Sequence, residues 1–116
     1  RHLRRVWKKA LRMREALLYP QAGADLESIW RYTQSTWGTA QANRYIDEFD
    51  ENFAVLADNP LICRERTEYT PTLRIYRHAH HLIVYVHTET TLEVIRILHE
   101  NMDVDRQLNV DDLTEM

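Results

Sequence analysis

The residues with the clearest capacity for chemistry are gathered late in the chain. His78, His80 and His81 lie within four positions, and Arg74, Arg77 and Arg96 fall in the same third. Clustered histidines raise the question of a metal, yet no acidic or cysteine ligand stands beside them at a recognisable metal-binding spacing. We therefore read them as exposed or interface histidines at the end of a strand, with no metal and no cofactor. Cys63 is the only cysteine, which excludes a disulfide framework and a cysteine-based zinc site. A Cys63/His nucleophile pair is formally open, but the thiol sits in a loop after a helix end, where no helix N-terminus stabilises a thiolate. The chain has two glycines and no glycine-rich phosphate loop.

The three arginines carry more information. A guanidinium grips a carboxylate or phosphate through paired hydrogen bonds. Two readings stay open: a groove for an acidic peptide or an RNA phosphate, or internal pairing with Glu93, Glu100 or Asp103.

These residues need strands to hold them, and the stretch from Leu73 to Met102 supplies three. Leu82, Val84 and Val86 alternate with Ile83, Tyr85 and His87, and Leu92, Val94, Arg96 and Leu98 alternate with Glu93, Ile95, Ile97 and His99. Period two in β-branched and aromatic residues is the strand pattern. The gap at residues 88–91 suits a hairpin and is too short for a crossover helix. Both faces of the last two strands are largely apolar, so these strands sit centrally, with one face well covered and the other partly.

The cover comes from upstream. Residues 16–19 form an apolar run stopped by Pro20, a first strand. Gln21 to Trp37 repeats Ala22, Leu26, Ile29, Trp30 and Thr33 at helical spacing, and Gly38 is its C-cap. Thr39 reads as the cap of a second helix with Ala42, Tyr45, Ile46, Phe49, Phe53 and Leu56 on one stripe, ended by Asn59-Pro60. So short a link makes an antiparallel helical hairpin. Trp30, Ile46, Phe49 and Phe53 are expected between the hairpin and a sheet face of Leu82, Val84, Val94 and Ile97. Residues 61–71 read as an irregular connection, and residues 103–106 as a short helical turn.

One hundred and sixteen residues with 44% hydrophobic and 28% charged content describe one folded unit with a real core. No apolar run is long enough to span a membrane. A lone cysteine fits a reducing cytoplasm. The net charge of −3 hides an asymmetry: seven basic residues fall in residues 1–14 with no acid among them, and the rest carries eight basic against eighteen acidic residues, a balance of −10. Residues 1–14 read as a short basic helical arm or appendage, with Met13 a candidate start of the folded unit at 15–108. Residues 109–116 read as an acidic tail. An acidic body is a poor match for a phosphate backbone, so no direct sequence-specific nucleic-acid binding is expected.

The order strand, helix, helix, three strands gives an α+β fold of two layers, a helical hairpin on a small antiparallel sheet. From about Leu17 to Leu108 the chain resembles the ParE branch of the RelE/ParE superfamily of type II toxins. The resemblance is carried by Tyr19-Pro20-Gln21-Ala22, Ala24-Asp25-Leu26, Ile29-Trp30-Arg31-Tyr32-Thr33, Trp37-Gly38, Gln41-Ala42, Arg44-Tyr45-Ile46, Leu56-Ala57, Asn59-Pro60, Leu73-Arg74, Ile83-Val84-Tyr85, Ile97-Leu98-His99, Met102-Asp103 and Arg106. It implies this same fold and a toxin neutralised by a cognate antitoxin. It also implies one of two activities: poisoning of DNA gyrase by binding, without catalytic residues, or mRNA cleavage on the ribosome. Cleavage needs acid/base groups and cations at the phosphate. Glu100 stands near where RelE-like members place a basic catalytic residue, and no lysine follows Lys9. Both features favour the gyrase-directed branch. Arg77 lies near a position where RelE-like members carry a catalytic arginine, which keeps the endoribonuclease alternative; a non-toxic binding module is the third. The residues expected to contact antitoxin or target are Arg74, Arg77, Arg96, His99 and Met102.

Overall fold

The computed structural model describes the backbone of residues 4–7 and the whole of residues 14–108. The order is β1 (Arg4–Trp7), β2 (Glu15–Leu18), α1 (Pro20–Trp37), α2 (Thr39–Asp58), a 3-10 turn (Pro60–Ile62), β3 (Arg74–His78), β4 (His81–His87), β5 (Thr91–His99) and α3 (Val104–Gln107). The sheet runs β1-β2-β5-β4-β3. The two-layer α+β architecture is the expected one. The sheet, however, is mixed: β2 pairs parallel with β5, and the other neighbours pair antiparallel. The parallel pair follows from the intervening helical hairpin, which returns the chain to the same end of the sheet.

The expected arm helix is also corrected. Arg4–Trp7 is a strand, antiparallel to β2, with a register shift between Arg5 and Trp7. An isolated short helix is marginal in water, whereas four residues laid on a free sheet edge gain ladder hydrogen bonds. The rest of the basic arm and the acidic tail at 109–116 lie outside the described residues.

Pro20 opens α1 at its first turn, where a missing N–H costs nothing. Gly38 ends it in the left-handed region at φ 95°, donating to Gln34 O at 2.9 Å while its own carbonyl accepts from Ala42 N at 3.1 Å. One glycine thus closes α1 and starts α2, and Thr39 is the first helical residue rather than the cap. A side chain at this φ is strained.

Phe49, Phe53, Leu56 and Ala57 of α2 are fully buried against Ala16, Leu18, Ile83, Tyr85, Leu92, Val94 and Ile97, with Ile46 packed at the margin. Three expected contacts shift. Val84 faces the opposite side with Leu73, Ile95 and Leu98, and Leu82 is half-buried. The hairpin-facing residues of β4 are Ile83 and Tyr85. Trp30 lies at the rim of the hairpin, its Nε1 donating to Asn43 Oδ1 at 2.9 Å.

Val94 and Ile97 share a face although three positions apart. Val84 pairs with Arg96 and Tyr85 with Val94, so Ile95 is an extra residue in β5. Such a bulge resets the alternation. The second face is covered partly, by Tyr19, Tyr69, Val104 and Leu108. Tyr69 OH donates to Asp105 Oδ1 at 2.7 Å, tying α3 to the 61–73 connection.

Candidate functional site

The β3–β4 hairpin turns through Ala79 and His80, with Ala79 at φ 52°. A non-glycine residue there is held at some cost in strain. Glu100 N donates to His80 O at 2.8 Å, and His81 pairs with His99 across the strands. These contacts bring Arg77, His80, His81, His99 and Glu100 to one end of the sheet.

Opposite this end stands the far end of the hairpin. Between them lies an open groove of about 670 Å³, walled by Ile29, Tyr32, Trp37 and Tyr45 and floored by His80, His81 and His99. Its lining is mainly apolar, and Tyr32 and Trp37 are 70% and 72% exposed. Large exposed aromatics beside a concave apolar surface mark an interaction site. Tyr45 ties wall to floor: its OH meets His81 Nδ1 at 2.7 Å, and its ring stands edge-on to Phe49.

The electrostatics follow from these contacts. Burial, then the electrostatic influence of His99, His80 and His78, pushes the pKa of His81 down to about 4, so it is a neutral partner of Tyr45 at physiological pH. Tyr45 is shifted upward, chiefly by burial and then by Glu48 and Glu100. Glu100 accepts from His80 at 2.5 Å and from the Arg77 guanidinium; the His80 hydrogen bond, with the Arg77 charge, holds its carboxyl below the usual range. His78 Nε2 meets Glu48 Oε1 at 2.9 Å. Among the described residues no three His, Cys, Asp or Glu side chains converge as a metal site.

The structure separates the five expected contact residues. Arg96 is buried, with Nε and Nη2 donating to Asp25 at 2.8 and 3.1 Å and Nη1 to Gln107 O at 3.3 Å. Asp25 Oδ2 also accepts Ile97 N at 2.9 Å. This is an internal clamp. Arg74, largely buried, donates to Cys63 O and to Glu65 Oε1, the latter at 3.2 Å. Arg77 is exposed and holds Glu100 and Ala79 O. His99 reaches the groove floor, its Nδ1 accepting from Asn101 N at 3.1 Å, and Met102 is 45% exposed just beyond it. Arg77, His99 and Met102 therefore belong to one end of the molecule. Arg74 and Arg96 lie elsewhere, each with an internal partner.

Tyr32, Trp37 and Gln41 were not among the expected site residues. For Tyr32 the signal was present, since it falls off the apolar stripe of α1 and the core does not require it; Trp37 continues that stripe by spacing, and its 72% exposure at the last residue of the helix is seen only in the fold. Cys63 is half-buried beside the core and does not enter the groove.

Residues 17–104 match the family described as the ParE toxin of the type II toxin–antitoxin system parDE. The chain is similar to a Toxin ParE1 of Mycobacterium tuberculosis, 42% identical over 93 residues that cover 79% of this chain and 95% of the relative. It is 38% identical over 94 residues to a Toxin ParE of Escherichia coli, covering 79% and 90%. A Toxin ParE1 of Caulobacter vibrioides is 28% identical over 96 residues, covering 83% and 99%.

Proposed function

Because this chain belongs to the ParE toxin family of type II toxin–antitoxin systems, we propose that it inhibits DNA gyrase by binding and is held inactive by a cognate antitoxin in the cytoplasm. The observation that carries this reading is the groove. Its walls offer Tyr32 and Trp37 to a protein partner, and its floor is of neutral or paired groups. A poison that works by recognition needs such a surface and no general base. A body of charge −10 past residue 14 disfavours holding a polyanion.

The antitoxin segment that fits is apolar with some acidic residues, lying in the groove with a carboxylate near Arg77. Arg77 is the exposed member of the three arginines, so it can change partners at low cost. His99 and Met102 extend the same surface and are the proposed target contacts. Arg74 and Arg96 act, on this reading, by holding the framework.

One arrangement favours the endoribonuclease alternative. Arg77, Glu100, His80 and His99 stand together, a set capable of proton transfer beside a cation. Against it, Glu100 already occupies the guanidinium that a scissile phosphate would need. Induced expression separates the two readings: an arrest of DNA replication that precedes any loss of protein synthesis supports gyrase, and the reverse order supports the ribosome.

A further inference from the structure

The two edges of the sheet are defended differently. At β3, Arg66 pairs with Leu73 as an extra bridge, Arg66 N donating to Leu73 O at 2.7 Å, and the strand itself carries Arg74, Arg77 and His78. Charge and a crossing loop are the usual protections against pairing with another chain. On the other side the outermost strand is β1, and β2 beneath it, Glu15-Ala16-Leu17-Leu18, has one charged residue, no proline and no lysine. Its defence is β1.

The backbone shows what β1 covers. Glu15 N and Tyr19 N donate inward to Thr90 O and Val94 O, each at 2.9 Å. With period two, Ala16 and Leu18 turn their amides and carbonyls outward. Those are the residues opposite Trp7 and Arg4. The family match begins at Leu17, so β1 lies outside the shared segment.

We propose that Arg4–Trp7 is an edge guard, and that the surface it covers is a docking site for the same strand of a second copy of this chain. The β2 edge is self-complementary. With a two-fold axis at Leu17, Ala16 of one copy faces Leu18 of the other, and the four outward groups on each strand find antiparallel partners. The guard therefore sets the balance between monomer and edge-paired dimer. It acts independently of the groove and of the toxin's target.

The test uses the full chain with Arg4→Pro and Trp7→Pro, which remove two ladder donors from β1. Mass in solution is measured across a concentration series, together with amide exchange at Ala16 and Leu18. The unsubstituted chain should stay at 13.9 kDa with both amides protected. The double variant should move toward about 28 kDa as concentration rises, a micromolar association in keeping with a short edge. Its two amides should exchange fast when dilute and slowly when paired. Adding Leu17→Lys, which sets like charges across the two-fold axis, should return the variant to monomer. The proposal is overturned if the folded double variant stays monomeric with both amides exchanging fast, or if the association survives Leu17→Lys. It is equally overturned if the opened edge binds an antitoxin strand and not a second copy.

Discussion

Arg96 and Asp25, 71 positions apart, form a two-bonded ion pair that locks the bulge of β5 to the second turn of α1. Asp25 has a further bond to Ile97 N, and Arg96 to Gln107 O, so both ends of the pair are held. Removing one partner leaves the other charge buried and uncompensated. Arg96→Ala should lower unfolding stability by roughly 3–5 kcal/mol, measured by urea denaturation. The corresponding loss in Asp25→Ala should be of similar size, and the double variant should lose less than the two singles combined.

Phe49 anchors the hairpin to the sheet. It is fully buried and touches the rings of Tyr45 and Phe53. Phe49→Ala should cost roughly 3–5 kcal/mol. A cost below about 1 kcal/mol would contradict its central place in the core.

His81 predicts a pH dependence of stability. Its pKa falls from 6.5 to about 4 on folding, so the folded state holds it neutral while the unfolded state takes up a proton. Its contribution is fully present above pH 6.5 and is lost as the pH drops from there toward about 4. His87, shifted downward by burial and then by Arg14 and Arg74, acts in the same sense. Denaturation curves across this window should show stability falling with pH, and His81→Gln should flatten the slope without removing it.

The groove should behave as a binding surface that the fold does not need. Trp37→Ala and Tyr32→Ala should leave unfolding stability within about 0.5 kcal/mol. At least one should weaken antitoxin binding by roughly 30-fold or more, the loss typical of an interface anchor. Calorimetry on the purified pair measures both. Unchanged affinity in both variants would move the antitoxin surface elsewhere.

The helical hairpin was legible in the sequence because its stripe repeats at three and four over α2, and packing follows directly from that period. The strands were legible as strands, and Val94 and Ile97 face the hairpin as expected, but the facing of β4 was not legible. Alternation through residues 92–99 gives no sign that Ile95 is an extra residue, since bulged and unbulged strands that are largely apolar on both faces look alike. That one insertion places Ile97 with Val94 toward the helices. The edge strand Arg4–Trp7 was misread because its stability comes from the free edge of β2, a tertiary circumstance with no local pattern. The fate of the arginines depended on partners such as Asp25 and Glu65, which only the folded chain brings near. The groove combines Tyr32, which the core pattern left over, with Ile29 and Tyr45, which belong to the helical stripes, so the sequence pattern did not mark it.

We propose that this toxin acts on gyrase by binding. The most direct measurement is supercoiling of relaxed plasmid by purified gyrase with the toxin present, run beside ribosome-dependent mRNA cleavage, with antitoxin added back to each. The toxin should inhibit supercoiling, antitoxin should relieve the inhibition, Arg77→Ala should retain it, and mRNA should remain intact. Undisturbed supercoiling with cleaved mRNA, the cleavage abolished by Arg77→Ala, would rule out gyrase as the target and make Arg77 a catalytic residue.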